Sequence, residues 1–227
     1  MTIEERLEQV EKELACITAR APHTGTRAIM IRANTFVLED MNGKPCGALF
    51  TDEAGRPSLK LFDEKGKGSV LIFIHAEGAG IGLGDENGKV RARLSVDKDG
   101  AGLRLFDEDG KPRAVLSADK EGPGLSVLDE NGKGRAGLAV NQEGPGLWLR
   151  DEKGELRTVL AVDKAGPGLS LADENGEQRA LLDVRNQGPQ LFLFDENGKP
   201  RAALGVGKLG PTVLLCDDKG KPFWKAP

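Results

Sequence analysis

The sequence predicts a mainly β protein, a repetitive antiparallel β-meander preceded by a short N-terminal α-helical coiled coil. Three observations carry that expectation. Asp63, Asp85, Asp107, Asp129, Asp151, Asp173, Asp195 and Asp217 stand 22 residues apart, and each is followed three residues later by a glycine, from Gly66 to Gly220. A second glycine series, Gly78, Gly100, Gly122, Gly144, Gly166, Gly188 and Gly210, keeps the same spacing. Between these landmarks the apolar residues alternate with period two, and ahead of them Ile3, Leu7, Val10, Leu14 and Ile17 fall four, three, four and three apart. Fixed self-similarity marks a repeat architecture, period two a half-buried strand, and the four-three seam a coiled coil. The chain divides accordingly into a helix over residues 1–19, a linker over 20–32 and a repeat domain over 33–227.

The helix comes first. Thr2 followed by Glu5 is a capping-box start. Leu7 and Leu14 take the a positions of the seam, and Ile3, Val10 and Ile17 the d positions. Leucine at a with β-branched residues at d disfavours a parallel dimer and points to three or four strands. Arg6 at g would face Glu11 at e of a neighbouring helix. The competing reading is an amphipathic helix packed on its own chain, because a seam of just over two heptads is marginal alone. The turn-rich "TARAPHTGTR" that follows reads as linker.

Each repeat then holds two short alternating stretches, of the forms "GLRLF" (102–106) and "RAVLSA" (113–118). "DEDG" and "DKEG" separate them and read as two versions of one four-residue loop, its glycine left-handed at the close of a type I turn. Such loops pair Leu105 with Pro112, Leu103 with Ala114, Val96 with Ala101 and Leu94 with Leu103. Every apolar position then falls on one face of a meander of about 18 strands. An earlier copy at Asp40 and Gly43 is displaced by one inserted residue near Arg56. Cys46, Ser69 and Phe223 stand where inner copies carry arginine, as expected of capping repeats. Phe223 and Trp224 are expected to cover the last edge strand, with Pro222 and Lys225 protecting it.

A flat meander of this length spans roughly 80 Å with strands near 20 Å long. It exposes an apolar face on the order of 1,600 Å², several times what a soluble monomer tolerates. Two architectures bury it. Three copies facing inward, joined by the coiled coil, make a homotrimeric β-prism or β-helix-like rod with closed symmetry. A monomeric β-solenoid with 22-residue rungs buries its own two faces. The solenoid stacks like charges every ~4.8 Å, whereas the meander spaces them at about 10 Å, and this favours the trimer.

The candidate chemistry is sparse. The Asp-Glu pairs recur in identical copies, with no unique environment to split their pKa values as acid–base catalysis requires. No copy supplies an EF-hand ligand set, and His23 and His75 have no Cys or His at zinc-ligand spacing. No glycine-rich phosphate loop joins a strand to a helix. No enzyme, metal or cofactor is therefore expected. The best candidate for a ligand face is a regular column of Arg91, Arg113, Arg135, Arg157, Arg179 and Arg201, suited to a glycan or protein partner. The alternative for this column is salt bridging with the turn carboxylates. Other outward positions (Arg104, Ser126, Trp148, Ser170, Phe192 and Leu214) follow no rule, and Phe192, Phe194 and Trp148 form at most a local sticky patch.

A net charge of −4 gives no pull toward nucleic acid. Three distant cysteines make no disulfide framework. The acidic, amphipathic start is wrong for a signal peptide, and the longest strongly apolar run, "VLIFI" at 70–74, is far short of a membrane-spanning helix. The compartment stays open, cytoplasmic or at a virion or cell surface by another route.

Coiled coil, linker and tandem "GPGLxLxDENGKxRAxLxV" units together resemble uncharacterised bacterial tandem-repeat proteins over about residues 33–227. The plan is similar to that of trimeric fibre and spike proteins of phages and bacterial surfaces. The resemblance implies a non-enzymatic homotrimeric fibre, stalk or scaffold and brings no functional residues with it. The second expectation is a binding module using the outer face of the rod.

Overall fold

A computed structural model of the chain describes residues 2–8, 11, 32–208 and 210–226. The chain separates into two compact units, Met1–Phe36 and Val37–Pro227. In the first unit residues 3–8 are helical. The Thr2 N–H donates to Glu5 Oε2 at 2.7 Å and the Glu5 N–H to Thr2 Oγ1 at 3.3 Å, the reciprocal pair of a capping box. Ile3 and Leu7 of the seam are exposed on this helix. Val10, Leu14 and Ile17 lie outside the described residues, as does the linker as far as residue 31.

The repeat region forms eighteen strands, from β1 (Thr35–Glu39), β2 (Pro45–Thr51) and β3 (Pro57–Phe62) to β18 (Pro222–Ala226). Each pairs antiparallel with its neighbours in sequence, in one open sheet. The 22-residue-rung solenoid is thereby set aside, since it would lay each strand parallel to its own copy one repeat further on. The physical reason is local. Two tight turns per repeat reverse the chain within a few residues, so the nearest partner for a strand is the one just made.

The two turns are not versions of one loop. They are seen in β6 (Val90–Asp97), β7 (Gly100–Phe106) and β8 (Pro112–Asp119). The β6–β7 turn gives the expected register, Val96 opposite Ala101 and Leu94 opposite Leu103. The β7–β8 turn does not. Leu105 faces Ala114 and Leu103 faces Leu116, two residues from the expected partners. Here the Gly110 N–H donates to the Asp107 carbonyl at 3.1 Å and the Asp107 N–H to the Lys111 carbonyl at 2.9 Å, closing a three-residue loop on a left-handed Gly110 (φ 80°). A bulge then leaves Arg113 as the extra residue between the Phe106–Pro112 and Leu105–Ala114 pairs. The shorter loop and the bulge together shift the register by two. Parity survives, and Leu94, Leu103, Leu105 and Leu116 still share one face.

The second glycine series has a different cause. Gly144 opens β11 (Gly144–Arg150) with φ 133°, and a Cβ there would lie 2.0 Å from the Val162 carbonyl oxygen of β12 (Leu156–Asp163). All of this series except Gly210 let one hairpin approach the next in the same way. In the first copy the inserted residue converts this turn into the other kind. Asp52 and Gly55 repeat the three-residue loop, with Gly55 at φ 75° and its N–H 2.9 Å from the Asp52 carbonyl. Loop length selects turn type, and the strands on either side stay in register.

A single sheet leaves little to bury. Phe73, Cys216 and Asp183 are the only side chains larger than alanine that are buried among the described residues. Leu94, Leu116, Leu138, Leu160, Leu182 and Leu204, one per repeat on one face, are each 48–52% exposed. Domains are ordinarily two packed layers around a core, and the described strands form one.

Candidate functional site

The structure gives the arginine column a role at the turns. The first aspartate of each three-residue loop accepts two backbone N–H groups on Oδ1. At Asp107 these come from Asp109 (3.0 Å) and Lys111 (2.9 Å), and at Asp195 from Asn197 (2.9 Å) and Lys199 (3.0 Å). Its Oδ2 meets the arginine six residues on, which the bulge turns toward it. The pairs are Asp85–Arg91 (3.4 Å), Asp107–Arg113 (3.6 Å), Asp129–Arg135, Asp151–Arg157 (3.1 Å), Asp173–Arg179 and Asp195–Arg201 (3.4 Å).

Five of the six also donate to a backbone carbonyl of the next hairpin. Arg91 reaches Phe106 at 3.1 Å, Arg157 reaches Ala172 at 3.0 Å and Arg201 reaches Cys216 at 3.0 Å. Arg135 reaches Asp151 and Glu152, and Arg179 reaches Asp195. Lysines of the same edge repeat the device, with Lys111 on the Glu130 carbonyl at 2.8 Å and Lys199 on that of Asp218 at 3.1 Å. The column ties each turn to itself and to the next hairpin. The end copies lack it, because Cys46, Ser69 and Phe223 occupy its place.

The same contacts set the acidity of the aspartates. The Lys89 N–H, and after it the Asn87 N–H and Arg91, hold Asp85 below the ordinary carboxylate range against the cost of burial. Lys111 and Lys199 act likewise on Asp107 and Asp195. At Asp129, Asp151 and Asp173 burial is the largest single influence and acts upward. The backbone donors and the paired arginine together outweigh it, so these carboxyls too are lowered. Asp40 and Asp52 are lowered chiefly by the N–H groups of Lys44 and Arg56. Six near-identical ion pairs stabilise charge, and none of these six aspartates is set apart from the others by a unique environment.

The face opposite the leucines carries the irregular residues. A Cβ on Gly137 would lie 2.2 Å from the Trp148 ring, so the indole lies across that glycine, and the Arg150 guanidinium stands 5.4 Å from its centroid. Phe192 and Phe194 have ring centroids 6.1 Å apart. Phe73 is covered by Arg93 at 4.9 Å and stacks with His75 at 4.5 Å. Asp183 is buried and pairs with Arg185 Nε at 3.0 Å. Arg185 stands where Asp97, Asp119 and Asp163 open the two-residue turns of other copies. The sequence signal for Asp183 is this break in the pattern, "LLDVRNQG" where several other copies carry serine or alanine at the matching position, as in "LSVD" and "LAVD". Trp224 lies opposite Leu215 on the leucine face of the last strand, 48% exposed, and Phe223 beside it is more exposed still.

The fold and the turn edge together define a tandem-repeat β-meander protein. No known protein family and no curated protein matches the sequence. Among solved structures, a mutant of Staphylococcus aureus TarM aligns with a TM-score of 0.29 at 16% identity, over 47% of this chain and 20% of that one. A second TarM structure gives 0.24 at 16%, over 49% and 19%. A porin-like protein from Bacteroides uniformis gives 0.20 at 9%, over 78% and 90%. The chain thus spans about a fifth of TarM, and none of these scores is high enough to define a shared fold.

Proposed function

We propose that the protein is a non-enzymatic structural rod, a fibre, stalk or scaffold, assembled as a homotrimer. The uncovered row of leucines on a one-layer sheet carries this reading. Six leucines half exposed along the face, with valines beside them, are an apolar surface with no second layer among the described residues. A second and third copy supply that layer at no cost in new sequence, and closed three-fold symmetry leaves none of the three leucine faces uncovered. The leucine and β-branched pattern of the N-terminal seam favours more than two strands, which supports the same number. The turn-edge arginines fit a mechanical role, since their bonds to backbone carbonyls tie each hairpin to the next along the rod.

Light scattering on the purified protein tests this. The monomer mass is 24.2 kDa, and the trimer should scatter at three times that mass. A monomer mass at micromolar concentration sinks the proposal. The double variant Leu7→Asp, Leu14→Asp separates the two parts of the chain. A monomeric variant makes the helix the nucleus of assembly, and a trimeric one places the whole interface on the sheet.

A further inference from the structure

We propose that Arg93 and Arg104 form a binding site for a tetrahedral oxyanion, a sulfate or phosphate group, on the face opposite the leucines. The two residues are direct cross-strand partners in the β6–β7 register. Directly opposite side chains have Cβ atoms about 4.5–5.5 Å apart, and like charges so placed repel. The column arginines each face an aspartate. No carboxylate among the described residues pairs with Arg93 or Arg104. An anion shared between the two guanidiniums turns this repulsion into attraction.

The surroundings suit such a group. The Arg93 Cζ stands over the buried Phe73 ring, 4.9 Å from its centroid, a cation–π contact that anchors the guanidinium on this face. Its other cross-strand partner is Gly82, a buried glycine that puts no side chain of its own beside Arg93. Ser95 and Ser117 flank Gly102 in the adjacent row of the same face and place two hydroxyls near the pair. Planar guanidinium forks match tetrahedral oxyanions with two parallel hydrogen bonds each. The site lies away from the leucine face, so it stands or falls independently of the trimer.

The test follows the arginine Nε–H resonances of ¹⁵N-labelled protein during titration with sodium sulfate and with inorganic phosphate, against sodium chloride at matched ionic strength. Dextran sulfate forms a second arm. Arg93 and Arg104 should shift saturably while Arg113 and Arg157 stay in place. Arg104→Gln should weaken the apparent affinity at least about tenfold, the loss of one charge-assisted contact. In chloride that variant should be no less stable than the parent, because it removes a repulsion. Saturation by the free ions alone assigns the site to a mobile anion, and tighter binding of dextran sulfate assigns it to esters on a polymer. No saturable shift in either arm, or an unchanged shift of Arg93 in Arg104→Gln, overturns the proposal.

Discussion

Alanine at Gly144 should destabilise the protein far more than alanine at Gly132, although both glycines have positive φ. Gly132 sits at φ 77° with no atom within 4 Å of an added Cβ. Only the left-handed penalty applies there, about 1–2 kcal/mol. Gly144 sits at φ 133°, a region that side chains rarely enter, at a cost of about 1–3 kcal/mol. The added Cβ would also lie 2.0 Å from the Val162 carbonyl oxygen. Backbone must then move, and the loss of one ladder hydrogen bond adds about 1 kcal/mol. The expected costs are about 1.5 kcal/mol at Gly132 and about 3 kcal/mol or more at Gly144. Urea denaturation of both variants and the parent at one protein concentration measures the difference, since mass action on any assembly is then the same. Asn at position 132 should restore most of the loss, because Asn tolerates the left-handed conformation. Equal midpoints for the two alanine variants would refute the distinction drawn between the two glycine series.

Two further outcomes follow from the turn edge. Arg135→Gln should cost about 1–2 kcal/mol, because a largely covered arginine loses its charge-assisted contacts to Asp129 and to two carbonyls of the next turn. Arg113→Gln should cost under about 1 kcal/mol, its 3.6 Å pair being more exposed; thermal melts that rank the two the other way contradict the clamp. Acid should loosen the protein through the eight aspartates whose carboxyls are lowered on folding. A folded pKa below the unfolded value, about 3.9, contributes stability above that value and loses it as pH falls through the folded one. The melting temperature should therefore be level above about pH 5 and drop below about pH 4; equal melting at pH 3 and pH 6 would count against these contacts.

Much of this was legible in the sequence because the repeat states its own geometry. The 22-residue period, the alternation and the turn residues fix strands, turns and the shared face of Leu94, Leu103 and Leu116, and the expected partners of Val96 and Leu94 are those found. The capping box of Thr2 and Glu5 was likewise readable, since it depends on residues three apart. The register across "DEDG" was misjudged because a bulge at Arg113 has no residue signature, and the N–H groups that Asp107 gathers decide the loop length. For the arginine column the sequence left open ligand face or salt bridge, and the structure shows the salt bridges. The Arg93–Arg104 pair is implicit in the β6–β7 register but stands outside the period, so the repeat does not single it out.

The sequence by itself determined the elements and which face of each is apolar, because turn chemistry and side-chain alternation act over a few residues. The tertiary structure alone decided that strands pair in chain order rather than rung on rung. It alone decided that two unlike turns alternate and that the turn-edge arginines are spent on carboxylates and carbonyls of neighbouring hairpins. Those outcomes depend on which backbone groups are close enough to bond once the sheet exists. The half-exposed leucines arise the same way, since exposure is set by what lies above a face and a single sheet does not cover its own.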